Sequence, residues 1–180
     1  MASTTSDGLA APWRNEYDIA CDDDAEIILD EDETSAVCDL VLREEDVSRP
    51  CLVSVTYVSD GRIRELNAEW RVIDRATDVI SLECERPDDP DLAEGEPCEL
   101  GDIVLATSYV TRQAARFGVT PKDECRLLLI HGMLHLLGYD HIEEDEAVVM
   151  EAREDQLLAL ARVEGIPDHV ELTRHREEQP

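Results

Sequence analysis

The sequence predicts an α+β domain in which a short mixed sheet of about four strands packs with about five helices. Two observations predict this class. Short segments of alternating or continuous apolar residues have the pattern of strands, and longer segments with apolar residues three and four positions apart have the pattern of helices. A chain of 180 residues suits one domain with its own core and is too short to expect two.

The N-terminal stretch is polar and acidic. Residues 1–25 include Gly and Pro, and Trp13 and Tyr17 are isolated aromatics there. A segment of this composition buries too little apolar surface to order the chain. We therefore expect a flexible acidic leader over residues 1–25, a single folded domain over residues 26–165, and a polar tail over residues 166–180.

The first elements of the domain follow in order. The segment 26–30, with three apolar residues between two acidic ones, is predicted to be a strand. Thr34 or Ser35 is a candidate cap for the first helix, because a hydroxyl at this position accepts a hydrogen bond from a free N–H group of the first turn. Residues 51–58 alternate two sets of side chains, which predicts a strand with at least one buried face.

The middle of the chain has a helix and two further strands. Asp60 is expected to cap a helix that ends near Arg71. Strands are predicted over residues 78–82 and 101–106, and the segment 83–99 between them is rich in proline and charge. That composition is typical of a solvated loop.

Three helices complete the domain. One is predicted over residues 108–117, where Gly118 ends it. The next begins at Pro121, because proline at the first helical position loses no intrahelical hydrogen bond. The last is an amphipathic helix over residues 145–163.

The charge of the chain argues against a nucleic-acid substrate, although not uniformly. The formal net charge is −28, whereas nucleic-acid binders usually carry a basic surface. The acidic residues come in blocks, however, and the stretch 51–75 is nearly balanced. Almost all positive charge is arginine, which donates two parallel hydrogen bonds to a phosphate.

The cysteines and the N-terminus indicate the compartment. The six cysteines show no paired metal spacing, and Cys38, Cys51 and Cys125 fall within apolar patterns that predict small core residues. The N-terminus lacks the basic segment followed by an apolar segment that is typical of a secretory signal peptide. No apolar run in the sequence is long enough to span a bilayer. We expect a cytoplasmic protein with reduced thiols.

The segment from His131 to His141 has the pattern of a metal site in the C-terminal half. His131 and His135 are four residues apart in an apolar helix, so their imidazoles point the same way. Gly138 lies where the helix must stop, because glycine readily adopts a left-handed conformation. The chain can then fold back and bring His141 to the same point. Three such imidazoles predict a zinc site with one open position, where water ionises near neutral pH.

A metal-free, a structural or a proteolytic role for the histidines is less favoured. A pair of histidines alone is more often a surface or core feature, and a structural zinc usually has four ligands, yet Cys125 points away from the histidine face. The spacing is also that of metzincin proteases. Those enzymes carry a glutamate where this chain has Gly132, and a methionine turn where the nearest candidate, Met150, falls in a helical pattern. Peptide hydrolysis by that route is therefore disfavoured.

Three ordered blocks of the sequence form a recognisable set. The blocks are Leu66-Asn67-x-x-Trp70-Arg71 with Thr77-Asp78-Val79-Ile80-Ser81, then Leu100-Gly101-Asp102-Ile103-Val104, and then His131-Gly132-x-Leu134-His135-Leu136-x-Gly138-Tyr139-Asp140-His141. Together they resemble the YbeY family of bacterial endoribonucleases, which mature ribosomal RNA. The chain departs from the family at Leu82, where phenylalanine is usual, in the acidic loop 83–99 and in a longer N-terminus.

The resemblance implies a zinc-dependent, single-strand-specific endoribonuclease domain that matures the 3′ end of small-subunit ribosomal RNA and serves ribosome quality control. It implies that His131, His135 and His141 bind one Zn²⁺ per chain. It also implies that Arg71 is the catalytic basic residue of the substrate cleft. The implied partners are single-stranded ribosomal RNA and ribosomal particles or ribosomal proteins, with no membrane.

Several alternatives stay open. The protein could be a ribosome-assembly factor with a largely structural zinc, or a zinc hydrolase of another substrate. Arg71 could simply complement the dipole at a helix C-terminus. Thr77, Asp78 and Ser81 are expected to be architectural, and Asp140 either orients an imidazole or caps a turn.

Overall fold

The computed structural model describes residues 14–163. These residues form four strands and five helices, which confirms the predicted α+β class and the mixed sheet. The predicted tail over residues 166–180 lies outside the described range. The elements in chain order are β1 Glu16–Cys21, α1 Glu31–Glu44, β2 Cys51–Val58, α2 Asp60–Arg71, β3 Val79–Glu83, β4 Cys98–Ala106, α3 Thr107–Phe117, α4 Pro121–Leu136 and α5 Glu144–Val163.

The sheet has the strand order β1-β2-β4-β3. The strand β2 pairs in parallel with both β1 and β4, whereas β3 is antiparallel to β4. Ile103 in the middle of β4 is opposite Val55 of β2 on one side and Ser81 of β3 on the other. Because side chains alternate along a strand, this register decides which residues share a face.

The two faces of the sheet carry different helices. Val55 and Ile103 belong to the main core, which also contains buried residues of α1, α4 and α5. Val104, the neighbour of Ile103, points the other way and packs with Ile63 and Leu66 of α2 in a smaller cluster. The helices α2 and α4 therefore lie on opposite faces of the sheet.

The expectation of a flexible leader over residues 1–25 is wrong for the part that forms β1. Glu16–Cys21 is an edge strand. Only Tyr17 and Ile19 pack against the core, so the strand has too few apolar residues to show in the sequence. The Tyr17 hydroxyl donates a hydrogen bond to Asp39 at 2.5 Å, which ties the strand to α1. Residues 1–13 lie outside the described range.

The predicted strand over residues 26–30 is also wrong. This segment is irregular and leads into α1. Leu29 is nonetheless fully buried, and its backbone N–H donates a hydrogen bond to the Tyr57 hydroxyl at 3.2 Å. Leu29 and the partly buried Ile28 therefore pack in the core without pairing in the sheet, whereas Ile27 is exposed.

Two predicted helix caps are displaced by one or more residues. Asp30, rather than Thr34 or Ser35, caps α1 through a capping box with Glu33. Ser59, rather than Asp60, caps α2. The Thr34 hydroxyl instead donates to the Leu29 carbonyl.

The predicted core cysteines are confirmed, since Cys38, Cys51 and Cys125 are each 0% exposed. Within residues 14–163, none of the helices is both long enough and apolar enough to cross a membrane.

Helix α4 packs closely against the sheet at Gly132. A Cβ atom at this position would lie 3.1 Å from Cδ1 and 3.2 Å from Cγ2 of Ile103. The missing side chain lets the helix backbone pack against the Ile103 side chain of β4. The preceding residue, His131, is thereby held one position around the helix from the sheet contact.

We predict that Gly132→Leu lowers the free energy of unfolding by about 1–3 kcal/mol, because the new side chain overpacks the contact with Ile103. Gly61→Leu is the matched control: Gly61 is also helical, but its Cβ would meet only Ser59 Oγ, at 3.9 Å. That control should be neutral or more stable by up to about 1 kcal/mol, since glycine is a poor helix former. Denaturant unfolding of both variants measures the difference. Equal stability changes would contradict the close contact at Gly132.

Candidate metal centre

The three predicted histidines converge. Their possible ligand atoms all lie within 4.8 Å of one another. The ring centroids of His131 and His135 are 4.6 Å apart, and the ring of His141 lies 5.3 Å from the first and 4.8 Å from the second. The structure thus brings together the residues that the spacing placed together.

The end of α4 turns the chain back as predicted. After α4 ends at Leu136, Gly138 adopts a φ of 97°, in the left-handed region that favours glycine. The N–H of Tyr139 donates to the Leu134 carbonyl at 3.0 Å, which closes the helix end. Two residues later the chain presents His141 beside the helix.

Asp140 belongs to the turn. Its carboxylate accepts a hydrogen bond from the backbone N–H of His141 at 2.7 Å. Of the two roles open to it, the structure shows the turn-capping one.

The outward-facing nitrogens of two histidines have hydrogen-bond partners. His131 Nδ1 lies 2.6 Å from Oε1 of Glu154, and His135 Nδ1 lies 2.9 Å from the Tyr139 carbonyl oxygen. A carbonyl oxygen and an ionised carboxylate only accept hydrogen bonds. Both Nδ1 atoms therefore carry the proton, and both Nε2 atoms offer a bare lone pair.

The inner nitrogens fit a metal ion. The Nε2 atoms of His131 and His135 are 3.1 Å apart. Two bare lone pairs at this distance repel each other unless a cation lies between them. Two nitrogens bound to one tetrahedral zinc at 2.0–2.1 Å would be about 3.3 Å apart. The donor set and its spacing therefore suit a zinc ion held by imidazoles.

The environment favours the neutral form of two of the imidazoles, those of His135 and His141. Burial, together with the charges of His131 and His141, lowers the pKa of His135 to about 3. Burial also lowers the pKa of His141. A neutral imidazole keeps the lone pair that a metal requires.

A second layer of contacts supports these histidines. The Tyr139 hydroxyl donates to Oε2 of Glu45 at 3.0 Å, and Arg153 Nε donates to Oε1 of the same carboxylate at 2.5 Å. Arg153 also donates to the Glu44 carbonyl at 2.7 Å. Tyr139 accepts the hydrogen bond from His135, and Arg153 is next to Glu154 in α5. The ion pair between Arg153 and Glu45 therefore stabilises the hydrogen-bond partners of both histidines.

Glu154 and its neighbours are not among the residues predicted from the sequence. A signal for Glu154 was present, since it shares the stripe of α5 that buries Met150, Leu157 and Leu158. A carboxylate on an apolar stripe needs a partner. Nothing local in the sequence marks Glu45, because its partners are far along the chain.

Cys125, Met150 and Asp78 lie outside the centre. Cys125 is buried with its sulfur 3.7 Å from the Tyr57 hydroxyl, and burial raises the pKa of its thiol to about 12. Met150 is buried within α5 and forms no turn. Asp78 is architectural, because its carboxylate accepts a hydrogen bond from the Val79 N–H at 2.7 Å, at the start of β3.

Arg71 is the last residue of α2, and its side chain is exposed. Across residues 14–163 it makes no hydrogen bond or ion pair, so no such contact joins it to the histidines. By contrast, Arg64 of the same helix forms a bidentate pair with Asp74 at 2.7 and 3.0 Å. The role of Arg71 stays a prediction.

The fold and the site define an α+β protein with a three-histidine centre suited to a metal ion, to which the described residues add no fourth His, Cys, Asp or Glu ligand. The sequence profile of the family described as Endoribonuclease YbeY matches residues 19–162. This chain therefore belongs to the YbeY family of endoribonucleases.

Individual relatives agree with this assignment. An Endoribonuclease YbeY of Clostridium botulinum is 39% identical over 136 residues, which cover 68% of this chain and 82% of the relative. One from an Exiguobacterium species is 42% identical over 118 residues, covering 63% of this chain and 75% of the relative.

A solved structure shows the same fold. The solution structure of TM1509 from Thermotoga maritima matches with a TM-score of 0.51 and 22% identity, covering 88% of this chain and 99% of that one.

We predict that Glu154→Gln weakens zinc binding by about 10- to 100-fold, because the amide cannot match the carboxylate as an acceptor for His131 Nδ1–H. Competition with a chromogenic chelator measures the affinity. Glu146→Gln, an exposed position in the first turn of the same helix, is the control for the loss of one negative charge. Equal affinities for the two variants would show that Glu154 does not support the ligand.

Proposed function

We propose that this protein is a zinc-dependent, single-strand-specific endoribonuclease that matures the 3′ end of small-subunit ribosomal RNA in the cytoplasm and takes part in ribosome quality control. The observation that carries the proposal is the convergence of three imidazoles, two of them with the outer nitrogen hydrogen-bonded, in a chain of the YbeY family. Three ligands rather than four are typical of a catalytic zinc, which disfavours a purely structural role.

The residues that would hold the zinc are His131, His135 and His141. When bound, such a zinc supplies a Lewis acid that polarises a phosphate oxygen and lowers the pKa of water. Glu154 and the Tyr139 carbonyl hold two of the imidazoles in the tautomer that a metal needs. Folding therefore fixes the orientation of these two rings before any substrate binds.

Arg71 is proposed to contact a substrate phosphate. Its guanidinium is exposed and, among the described residues, unpaired. A planar fork of donors suits two phosphate oxygens, and its positive charge stabilises the charge that develops on them during bond cleavage. An arginine already paired with a carboxylate would have to give up that partner first.

The charge of the protein bears on its partners. With a formal net charge of −28, the protein repels free RNA at long range, except near its balanced stretches. Ribosomal particles or ribosomal proteins that carry the RNA to the site would offset this repulsion. We therefore propose that the substrate is single-stranded ribosomal RNA presented on such a particle.

The zinc-loaded protein is predicted to cut single-stranded RNA internally and to leave a duplex of the same sequence intact. His135→Ala should lose both the metal and the cleavage, because it removes one of three ligands. Metal analysis and gel analysis of end-labelled RNA measure the two effects. Full metal content in His135→Ala would exclude the site, and cutting of the duplex at an equal rate would exclude single-strand specificity.

Arg71→Ala should lower cleavage by about 100-fold or more, the scale for removing one preorganised charge stabiliser. Its melting temperature and zinc content should match those of the wild type, since the side chain is exposed. Arg62→Ala is the matched control: Arg62 is an exposed arginine of the same helix, already paired with Glu65 at 3.2 Å. If both variants lose cleavage to the same small extent, Arg71 acts only through net charge.

A further inference from the structure

Helix α2 has an exposed tryptophan on the same side of the helix as its buried residues. Ile63, Leu66 and Asn67 of this helix are buried, with exposures of 0%, 5% and 2%. Trp70 is three residues after Asn67 and four residues after Leu66. Helical periodicity therefore places it on the same side of the helix as these buried residues. It is nonetheless 43% exposed. The helix therefore continues past the apolar cluster that covers its earlier turns.

The segment after Trp70 is held firmly in place. The carbonyl oxygen of buried Asn67 accepts hydrogen bonds from the N–H groups of Val72 and Ile73, and its side-chain amide donates to the Arg75 carbonyl at 2.8 Å. The bidentate pair of Arg64 with Asp74 ties the same turn to the helix. Trp70 is thus presented by a fixed turn.

This turn has a strained backbone and exposes apolar side chains to solvent. Val72 has a φ of 60°, which is rare for a β-branched residue, and its side chain is 90% exposed. Ile73 is 37% exposed. Backbone strain of this kind, beside the exposed apolar side chains of Trp70, Val72 and Ile73 (the apolar patch), marks surfaces that contact a partner.

The charge of the patch indicates which partner. Arg71 stands between Trp70 and Val72 in the sequence, and it is exposed and, among the described residues, unpaired. A nucleotide combines a flat apolar base with an anionic phosphate, and the patch combines an aromatic ring with a free guanidinium. An apolar protein segment would leave that guanidinium without a partner at the interface.

We propose that Trp70 stacks on an unpaired nucleobase of single-stranded RNA whose neighbouring phosphate is contacted by Arg71. This inference rests on the proposed function and adds a base-binding position to it. Base-paired RNA keeps its bases stacked on one another, so only an unpaired base is available to the indole. The same contact would then favour single strands.

The experiment uses the full-length, zinc-loaded protein carrying Trp13→Phe, which leaves Trp70 as the only one of the two tryptophans. Its fluorescence is followed during titration with a short 2′-O-methylated single-stranded RNA, and with the same oligonucleotide carrying abasic spacers. Both have the same phosphates, and the recovered oligonucleotides are checked for intactness. The base-containing RNA should quench Trp70 and bind about 10-fold more tightly than the abasic one.

Two variants in the same background isolate the ring. Trp70→Leu should bring the ratio of the two affinities close to one, because leucine keeps an apolar side chain but has no π-face. Trp70→Phe should keep part of the ratio. Fluorescence anisotropy of labelled oligonucleotides measures binding by the variants, and melting temperature with zinc content verifies their folding.

The outcomes separate this inference from the proposed function. An unchanged affinity ratio in Trp70→Leu, or an equal loss for both oligonucleotides, overturns base stacking even if the wild type cuts RNA. Quenching and a base-dependent affinity in a protein that never cuts RNA would keep the inference and overturn the nuclease. Absence of any RNA binding by the wild type overturns both.

Discussion

The hydrogen bonds on the outer nitrogens of His131 and His135 are the contacts on which the centre depends. A histidine side chain can rotate about two bonds and can carry its proton on either nitrogen. Glu154 and the Tyr139 carbonyl remove both freedoms. The inner nitrogens then face each other at 3.1 Å, and the site is organised as a ligand set before a metal enters.

That organisation relates the site to distant parts of the fold. Glu154 comes from α5, and Tyr139 is held by Glu45 at the end of α1. Arg153 joins the two helices through the same carboxylate. The brace is an ion pair whose side chains are 22% and 15% exposed, so solvent screens it less than a surface pair. The packing of α1, α4 and α5 against one another therefore fixes the orientation of the His131 and His135 rings.

The sequence predicted what depends on local geometry. Helical spacing placed His131 and His135 together, and the glycine after the helix indicated the turn that returns His141. Prediction from the sequence failed where contacts between distant parts of the chain determine the structure. The strand β1 has few apolar residues and exists because β2 offers an edge, and Leu29 is buried without belonging to a strand. Glu154 is separated from His131 by 23 residues, so only folding brings them together.

The arrangement also sets an order of events during synthesis. The three histidines leave the ribosome together, within one short segment, but Glu154 emerges later, and Arg153 must find Glu45 across a separation of 108 residues. Chains are made at about 5–20 residues per second, so the histidines exist for seconds before α5 can pack against them. During that interval their rings are free to rotate, and the nascent chain has no finished centre. The centre is completed when α5 docks, which delays its chemistry until the domain is assembled.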